Sequence, residues 1–380
     1  MPCMEPEHVQ VANTIPSTTS QPTVAPATDA ERTLYPKITN HVDEIVKILQ
    51  HLERDPKNPE QEVVLDPIPI VGTVKLHGTH ADIVIYSDDS IFCQSRNITS
   101  LSATRDNQGF ANAMSKKRKV LLCLRDLYLA RWIQLNPNAT ISTSHPIVIA
   151  GEWIGEKIQK DVAIAQLSRR FVIISLNING QWQNDTSFSG ISLTNHDIYN
   201  IARAGLFNAT LYPQDLQRTL AEIEPLAEKV AAACPFASTF GIQGPGEGLV
   251  WKLAPSQYNS NPTLWFKTKG GKFKPTFAAR PPKKIKSFDT VEEQRKEAAR
   301  VAELWCSEQR LEQGWDVMRE KGVERSLRGL AEFLKWVQLD VLVEERGYIK
   351  RYKVDEGDLK ISVARIAKGW YLERVQSGIE

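Results

Sequence analysis

Between residues 41 and 53 the segment HVDEIVKILQHLE puts Val42, Ile45, Ile48 and Leu49 on one side of a 3.6-residue period, which predicts an amphipathic helix. The pattern then shortens to β-type runs around Gly72–Lys75, Ala81–Tyr86 and Ser90–Ser95. From Ser115 to about Gln134 apolar residues crowd every turn (Val120, Leu121, Leu124, Leu127, Leu129, Trp132), so a largely buried helix is predicted there. Strands follow at 146–153 (PIVIAGEW) and 170–178 (RFVIISLNI), then a helical pair near 195–204 and 213–233. The second of these carries Leu216, Leu220, Ile223 and Val230 on one face. The chain returns to β character in GLVWKL at 248–253 and TLWFKTK at 263–269.

Strands with helices inserted between them predict an α+β domain dominated by antiparallel strands over residues 31–278. ARPPKKIKSF, Pro-rich and basic, reads as a linker at 279–288. Beyond it the pattern is helical. Thr290-Val-Glu-Glu293 is a capping box opening a long helix, a second helix is predicted from Ser326 to Glu345, and a third from Glu356 to Arg374. Their apolar faces (Val301, Leu304, Trp305; Leu330, Leu334, Val337; Leu359, Val363, Ile366, Trp370) suit a small all-α C-terminal domain over 289–380. Residues 1–30, rich in Ser, Thr, Pro and Ala, read as a disordered extension.

Composition narrows the class only a little. The 380 residues carry a formal net charge of +2, too small to argue nucleic-acid binding. Cys3, Cys93, Cys123, Cys234 and Cys306 are widely spread and follow no metal-binding spacing, which predicts reduced thiols and no zinc site. No apolar run approaches the roughly 18–20 residues of a membrane span, and MPCMEPEHVQ lacks the plan of a signal or transit peptide. A cytoplasmic or nuclear protein is expected; KKRK at 116–119 opens the predicted helix and reads as its solvated first turn rather than an import signal.

The chemistry lies in charged residues placed in or beside β-type runs: Lys75, Arg96, Glu152, Glu247, Lys252, Lys267 and Lys269. Charges are seldom buried without partners, so several of them flanked by apolar residues predict a shared polar cleft. Lys267 and Lys269, two apart on a strand, share a face.

KLHGTH at 75–80, SRN at 95–97, GEW at 151–153, RFVIIS at 170–175, EGLVWK at 247–252 and WFKTKG at 265–270 resemble the six ordered motifs (I, Ia, III, IIIa, IV and V) of the covalent nucleotidyltransferases. That superfamily comprises ATP- and NAD-dependent ligases and mRNA-capping guanylyltransferases. Histidine at the third place of the first motif points within it to the bacteriophage-type RNA ligase 2 family, and GEKIQKDVAIAQLSRRFVI at 155–173 is similar to the segment joining two of that family's motifs. The resemblance covers about residues 65–275.

It implies an antiparallel-sheet, ATP-grasp-like ligase domain and an ATP-dependent RNA ligase acting through a lysyl-AMP intermediate and an RNA-adenylate. Lys75 is then the nucleophile, with Lys267 and Lys269 supporting it and cancelling charge at the α-phosphate. Gly78 would let the backbone approach the nucleotide, Phe171 would stack on adenine, Glu152 would accept from ribose hydroxyls, and Arg96 would clamp a ribose or a phosphate. Glu247 would hold Mg²⁺ or Mn²⁺. The chain departs from the family at Val74, in the nucleotide-binding set, where many relatives carry a glutamate that contacts adenine, and at His80, where many carry asparagine.

The implied partner is RNA with 5′-phosphate and 3′-hydroxyl ends, which arrive ready or are prepared by separate end-healing enzymes; the protein is read as a monomer with no membrane association. A capping guanylyltransferase or a DNA ligase would use the same lysine, but those enzymes normally follow the last motif with a β-barrel, whereas 286–380 read as helices. A non-catalytic RNA-binding module with this fold is the third reading, disfavoured because every charged motif residue is present. Lys252, within EGLVWK, reads as two-sided, a motif residue or one that simply points outward, and stays outside the catalytic set.

Overall fold

The computed structural model describes residues 34–58, 61, 63–96, 98–274 and 291–378. The predicted extension at 1–30, the linker at 279–288 and Thr290 lie outside them. In chain order the elements are α1 (Val42–Leu52), β1 (Ile68–Lys75), β2 (Thr79–Ile85), β3 (Ile91–Ser95), α2 (Phe110–Ser115), α3 (Arg118–Leu135) and β4 (Ile147–Ile154). Next come β5 (Arg170–Ile178), β6 (Gln181–Trp182), β7 (Ile198–Asn200), β8 (Phe207–Leu211), α4 (Leu216–Ala232), α5 (Pro235–Ser238), β9 (Gly248–Leu253), α6 (Ser256–Asn259) and β10 (Phe266–Lys269). The last five are helices: α7 (Val291–Trp305), α8 (Glu308–Glu320), α9 (Leu330–Glu344), α10 (Arg346–Tyr352) and α11 (Glu356–Gln376).

The strands form two sheets. One has the order β10-β9-β1-β8 and is antiparallel throughout. The other runs β3-β2-β4-β5-β6, also antiparallel, with β7 added parallel to β5. Burial alternates along β1: Ile68, Ile70, Gly72 and Val74 face a core shared with α1 and α4, while Val71, Thr73 and Lys75 face the other way. A second core packs α2 and α3 on the other sheet through Phe110, Leu121, Leu124, Tyr128 and Trp132. Tyr35, Val84, Val148, Ala150, Trp182 and Trp265 fill a smaller cluster on that sheet's opposite face, where the two sheets meet. The helical region has its own core, from Ala298 to Tyr371. The fold is α+β, antiparallel sheets followed by a helical region.

Several predicted elements differ. The helix expected near 195–204 is a short strand, β7, between two 3₁₀ turns. Asp197 takes a left-handed conformation (φ 57°) and the Asn200 side chain caps the following turn, so local polar geometry overrides the apolar spacing. The long first C-terminal helix is two helices, because the Ser307 side chain accepts from the Arg310 amide and starts α8 afresh. The strand expected from Thr263 starts at Phe266, after a 3₁₀ turn capped by Asn261 and containing Pro262. Cys93, Cys234 and Cys306 are buried free thiols.

The turn between β1 and β2 sets the position of Lys75. Its Gly78 packs so closely on β4 that an added Cβ would lie 2.4 Å from the Trp153 carbonyl oxygen and 2.9 Å from Glu152 Cγ. The space a side chain would need is taken by the protein's own strand, and the Gly78 backbone lines the cavity described below. Gly78→Ala is expected to lower unfolding free energy by roughly 1–3 kcal/mol, as overpacking does, read as a lower midpoint in urea; an unchanged midpoint would show that the turn relaxes freely.

Candidate active site

Cross-strand register brings the motif lysines together. In the four-stranded sheet Lys75 of β1 pairs with Gly248 of β9, which pairs on its other side with Lys269 of β10. The next row but one is Thr73, Val250 and Lys267. Directly paired residues in a sheet share a face, so Lys75, Lys267 and Lys269 stand on one surface, and the missing side chain at Gly248 leaves space between two of them.

Glu247, the residue before β9, lies beneath that surface with 1% of its side chain exposed. Its Oε2 accepts a hydrogen bond from Lys75 Nζ at 2.6 Å and lies 3.4 Å from His77 Nδ1, while its Oε1 is 3.6 Å from Lys269 Nζ. Burial alone would raise the Glu247 pKa, but Lys75, the His77 hydrogen bond and Lys269 outweigh it and hold the carboxyl well below the usual range. Lys267 donates to Glu344 Oε1 at 2.9 Å, and Lys269 lies 3.9 Å from Glu344 Oε2. Burial, with help from the neighbouring Lys269 and Lys75 charges and against the attraction of Glu344, brings Lys267 down to about 8. For Lys269 burial is outweighed by Glu344 and Glu247, and its pKa is raised.

These side chains open on a cavity of about 580 Å³ between the sheets and the helical region. Glu152, half-buried on β4, accepts from the Gly78 amide at 3.0 Å; burial pushes its pKa up against the pull of Lys75, His80 and Arg96. Arg96, exposed at the end of β3, stands on the cavity rim. Val74 is 2% exposed and packs its side chain into the α1/α4 core, so it contributes wall rather than a polar contact.

Phe171 is the predicted site residue that the structure keeps apart. It is fully buried, 5.5 Å from the Phe110 ring in the α2/α3 core, and does not line the cavity; a Cβ on Gly151 would touch its ring at 2.3 Å. Alternation along β5 sends Ile174 to the cavity instead. For Lys252 the structure decides between the two sides left open by the sequence. It points inward, 2.5 Å from Asp185 Oδ2, 2.7 Å from Ser175 Oγ and 3.5 Å from the Trp265 ring centroid.

Sequence reasoning missed the cavity's helical wall, above all Glu344, Asp340 and Arg310. Nothing local marks Glu344: it sits in VLVEERG at a helix end, where acids and bases are commonplace. His80 was seen only as a departure. Its Nε2 lies 2.8 Å from the buried Asp82 Oδ1, under the Tyr35 ring at 4.9 Å.

As for a metal, no three His, Cys, Asp or Glu side chains converge among the described residues. A cation held at Glu247 would therefore take that one protein carboxylate, now facing Lys75, His77 and Lys269, and draw its remaining ligands from phosphate and water.

Comparison with known proteins follows the same residues. The RNA ligase family matches residues 68–269, from the start of β1 to the end of β10, more than half of the chain. No curated protein matches. Solved structures similar to the chain include a Naegleria gruberi RNA ligase variant with AMP and Mn, at 14% identity and a TM-score of 0.37. The same ligase with pyrophosphate gives the same identity and score; each alignment covers 63% of this chain and 56% of that one, so the chain spans little more than half of the Naegleria protein. An archaeal ATP-dependent RNA ligase matches at 11% identity and a TM-score of 0.36, over 91% of this chain and 66% of its own. With the family match running through Lys75, Glu247, Lys267 and Lys269, the chain belongs to the RNA ligase family of nucleotidyltransferases.

Proposed function

We propose that the protein is an ATP-dependent RNA ligase of the bacteriophage-type RNA ligase 2 group, joining 5′-phosphate and 3′-hydroxyl RNA ends. The observation that carries the reading is the convergence of Lys75, Lys267 and Lys269 on one face around the buried Glu247. An amine beside two further ammonium groups, in a cavity of nucleotide size, suits attack on a phosphate whose charge must be cancelled as it rises.

A bare 5′-phosphate has no good leaving group, so the reaction is divided. The Lys75 Nζ, once it has lost its proton and its contact with Glu247, forms a bond to the α-phosphorus of ATP as the α–β bridge breaks and pyrophosphate departs. An oxygen of the RNA 5′-phosphate then displaces Lys75 from the adenylate. The 3′-hydroxyl finally attacks that 5′-phosphate, AMP leaves and the phosphodiester closes. Lys267 and Lys269 hold the phosphate oxygens through the first step, and Glu152 and Arg96 at the cavity edge suit ribose and phosphate. Mg²⁺ or Mn²⁺ on Glu247 would supply further positive charge there. Ile174, rather than Phe171, supplies apolar wall for a base.

Two regions carry these parts: a nucleotidyltransferase domain over 31–278 and a helical domain over 289–380, joined by 279–288. A capping or DNA-joining role is the weaker reading, because all described regular elements from 291 to 378 are helices and a barrel would need strands. No described helix is long and apolar enough to cross a membrane. A monomer in the cytoplasm or nucleus, served by separate end-healing enzymes, fits this scheme.

Incubation with α-labelled ATP or GTP and Mg²⁺ is expected to place label on Lys75 from ATP alone; label from GTP would indicate capping, and none a binding module. Lys75→Ala should abolish labelling yet leave sealing of pre-adenylylated RNA largely intact, and loss of that sealing would refute the division of steps. Lys267→Ala and Lys269→Ala should each slow nucleotidyl transfer by about 10²–10³, as removal of an oxyanion donor does. A single-turnover assay showing less than about tenfold would make that lysine peripheral.

A further inference from the structure

Two carboxylates hold the three lysines, and one of them comes from the far end of the chain. Glu247 takes Lys75, while Glu344, the last residue of α9, takes Lys267 at 2.9 Å and approaches Lys269 at 3.9 Å. Its two oxygens face the two ammonium groups assigned above to phosphate, and a carboxylate and a phosphate present such donors with the same kind of anionic acceptor. Although burial would raise the Glu344 pKa, the two lysines bring it down to about 2, so the group is charged at neutral pH.

The neighbouring acids are occupied elsewhere. Arg310 of α8 lies 2.9 Å from Asp340 and donates to Glu345 at 3.0 Å, which leaves Glu344 as the acid of this trio within ion-pair distance of the lysines. A second anchor sits beside the first. Arg346 pairs with Glu44, the Asn40 side chain donates to the Glu344 carbonyl at 3.2 Å, and the Thr39 carbonyl accepts from the Lys267 amide at 2.8 Å. Residues 344–346 are thus seated on β10, on the segment before α1 and on the first turn of α1 by polar contacts. The apolar core of the helical region contains no residue of either sheet and includes Val341 and Ile349 on either side of the junction, so moving the junction together with its own helices exchanges charges without opening that core.

We infer that Glu344 is an intramolecular placeholder for the phosphates of the nucleotide, and that the α9–α10 junction is a gate which an incoming polyphosphate displaces. The inference rests on the reading that Lys267 and Lys269 bind those phosphates. Closed, the gate satisfies the two lysines in the nucleotide-free protein. Opened, it leaves them to a ligand of higher charge and clears the helical wall from the cavity. The cost of displacing Glu344 is subtracted from the affinity of every polyphosphate that enters.

The test uses the full chain and inorganic tripolyphosphate, followed by calorimetric titration at low ionic strength. Glu344→Gln, nearly isosteric, should bind tripolyphosphate about tenfold more tightly, within the usual range for coupled equilibria. Arg346→Ala, which touches none of the lysines, should also tighten binding by releasing the second anchor. Asp316→Asn removes the same charge from the cavity wall, where Asp316 pairs with Arg319, and should change affinity less than about twofold, as surface pairs do. In the unmodified protein, tripolyphosphate should speed amide hydrogen exchange across 340–350.

Equal affinities for Glu344→Gln and the parent protein, or equal effects of Glu344→Gln and Asp316→Asn, would overturn the gate. With labelled ATP, Glu344→Gln should lower KM and keep kcat. Should the titrations behave as expected while no label reaches Lys75, the proposed ligase chemistry fails and the gate stands. Should labelling succeed with KM unchanged in Glu344→Gln, the gate fails and the chemistry stands.

Discussion

A carboxylate buried to 1% exposure cannot stay charged without cations, and around Glu247 this requirement organises the site. Lys75 and Lys269 meet it from two strands, with His77 Nδ1 close by in the turn, which ties the end of β1 to the end of β10 through the residue that precedes β9. The same contacts keep three potentially mobile side chains pointed inward. Breaking such a group from one side leaves charges of one sign facing each other in a site largely out of water, which costs far more than an exposed pair would. The arrangement is therefore both a structural clamp and a store of positive charge aimed at one place.

The second carboxylate, Glu344, differs in kind. The family match ends at residue 269, whereas Glu344 belongs to the helices beyond it. The cavity is built by two regions with separate apolar cores, and charge joins them at the lysines. An apolar seam would have to be exposed on opening, while an ion pair can be traded for another anion at modest cost. On the reading proposed above, Lys267 and Lys269 thereby serve two partners, one of the chain itself and one brought by substrate.

Some elements were plain in the pattern. α1, α4 and β9 appear where the apolar spacing put them, since each has one strongly buried face or one short continuous run. Others were hidden for identifiable reasons. The break between α7 and α8 carries neither proline nor glycine; the Ser307 side chain, accepting from the Arg310 amide, makes it. β5 is buried on both faces, so its alternation gives no sign of which side meets the cavity, and Phe171 was assigned to the wrong one. Lys252 offered the same ambiguity, resolved by Ser175 of β5 on the opposing sheet and by Asp185 in the turn after β6.

Charged residues set among apolar strand-like runs were enough to indicate an α+β domain with a polar cleft shared by Lys75, Arg96, Glu152, Glu247, Lys252, Lys267 and Lys269, because strand periodicity and residue chemistry are local properties; the nucleotidyltransferase reading came from the resemblance of six ordered motifs. Which of those charges touch was decided by strand register, and register depends on pairing between segments more than 170 residues apart, as for Lys75 and Gly248. The pairing of Glu344 with Lys267 was decided only when the helices folded back over the sheet, since a solvated acid at a helix end and one that closes a cleft look alike until their surroundings are known.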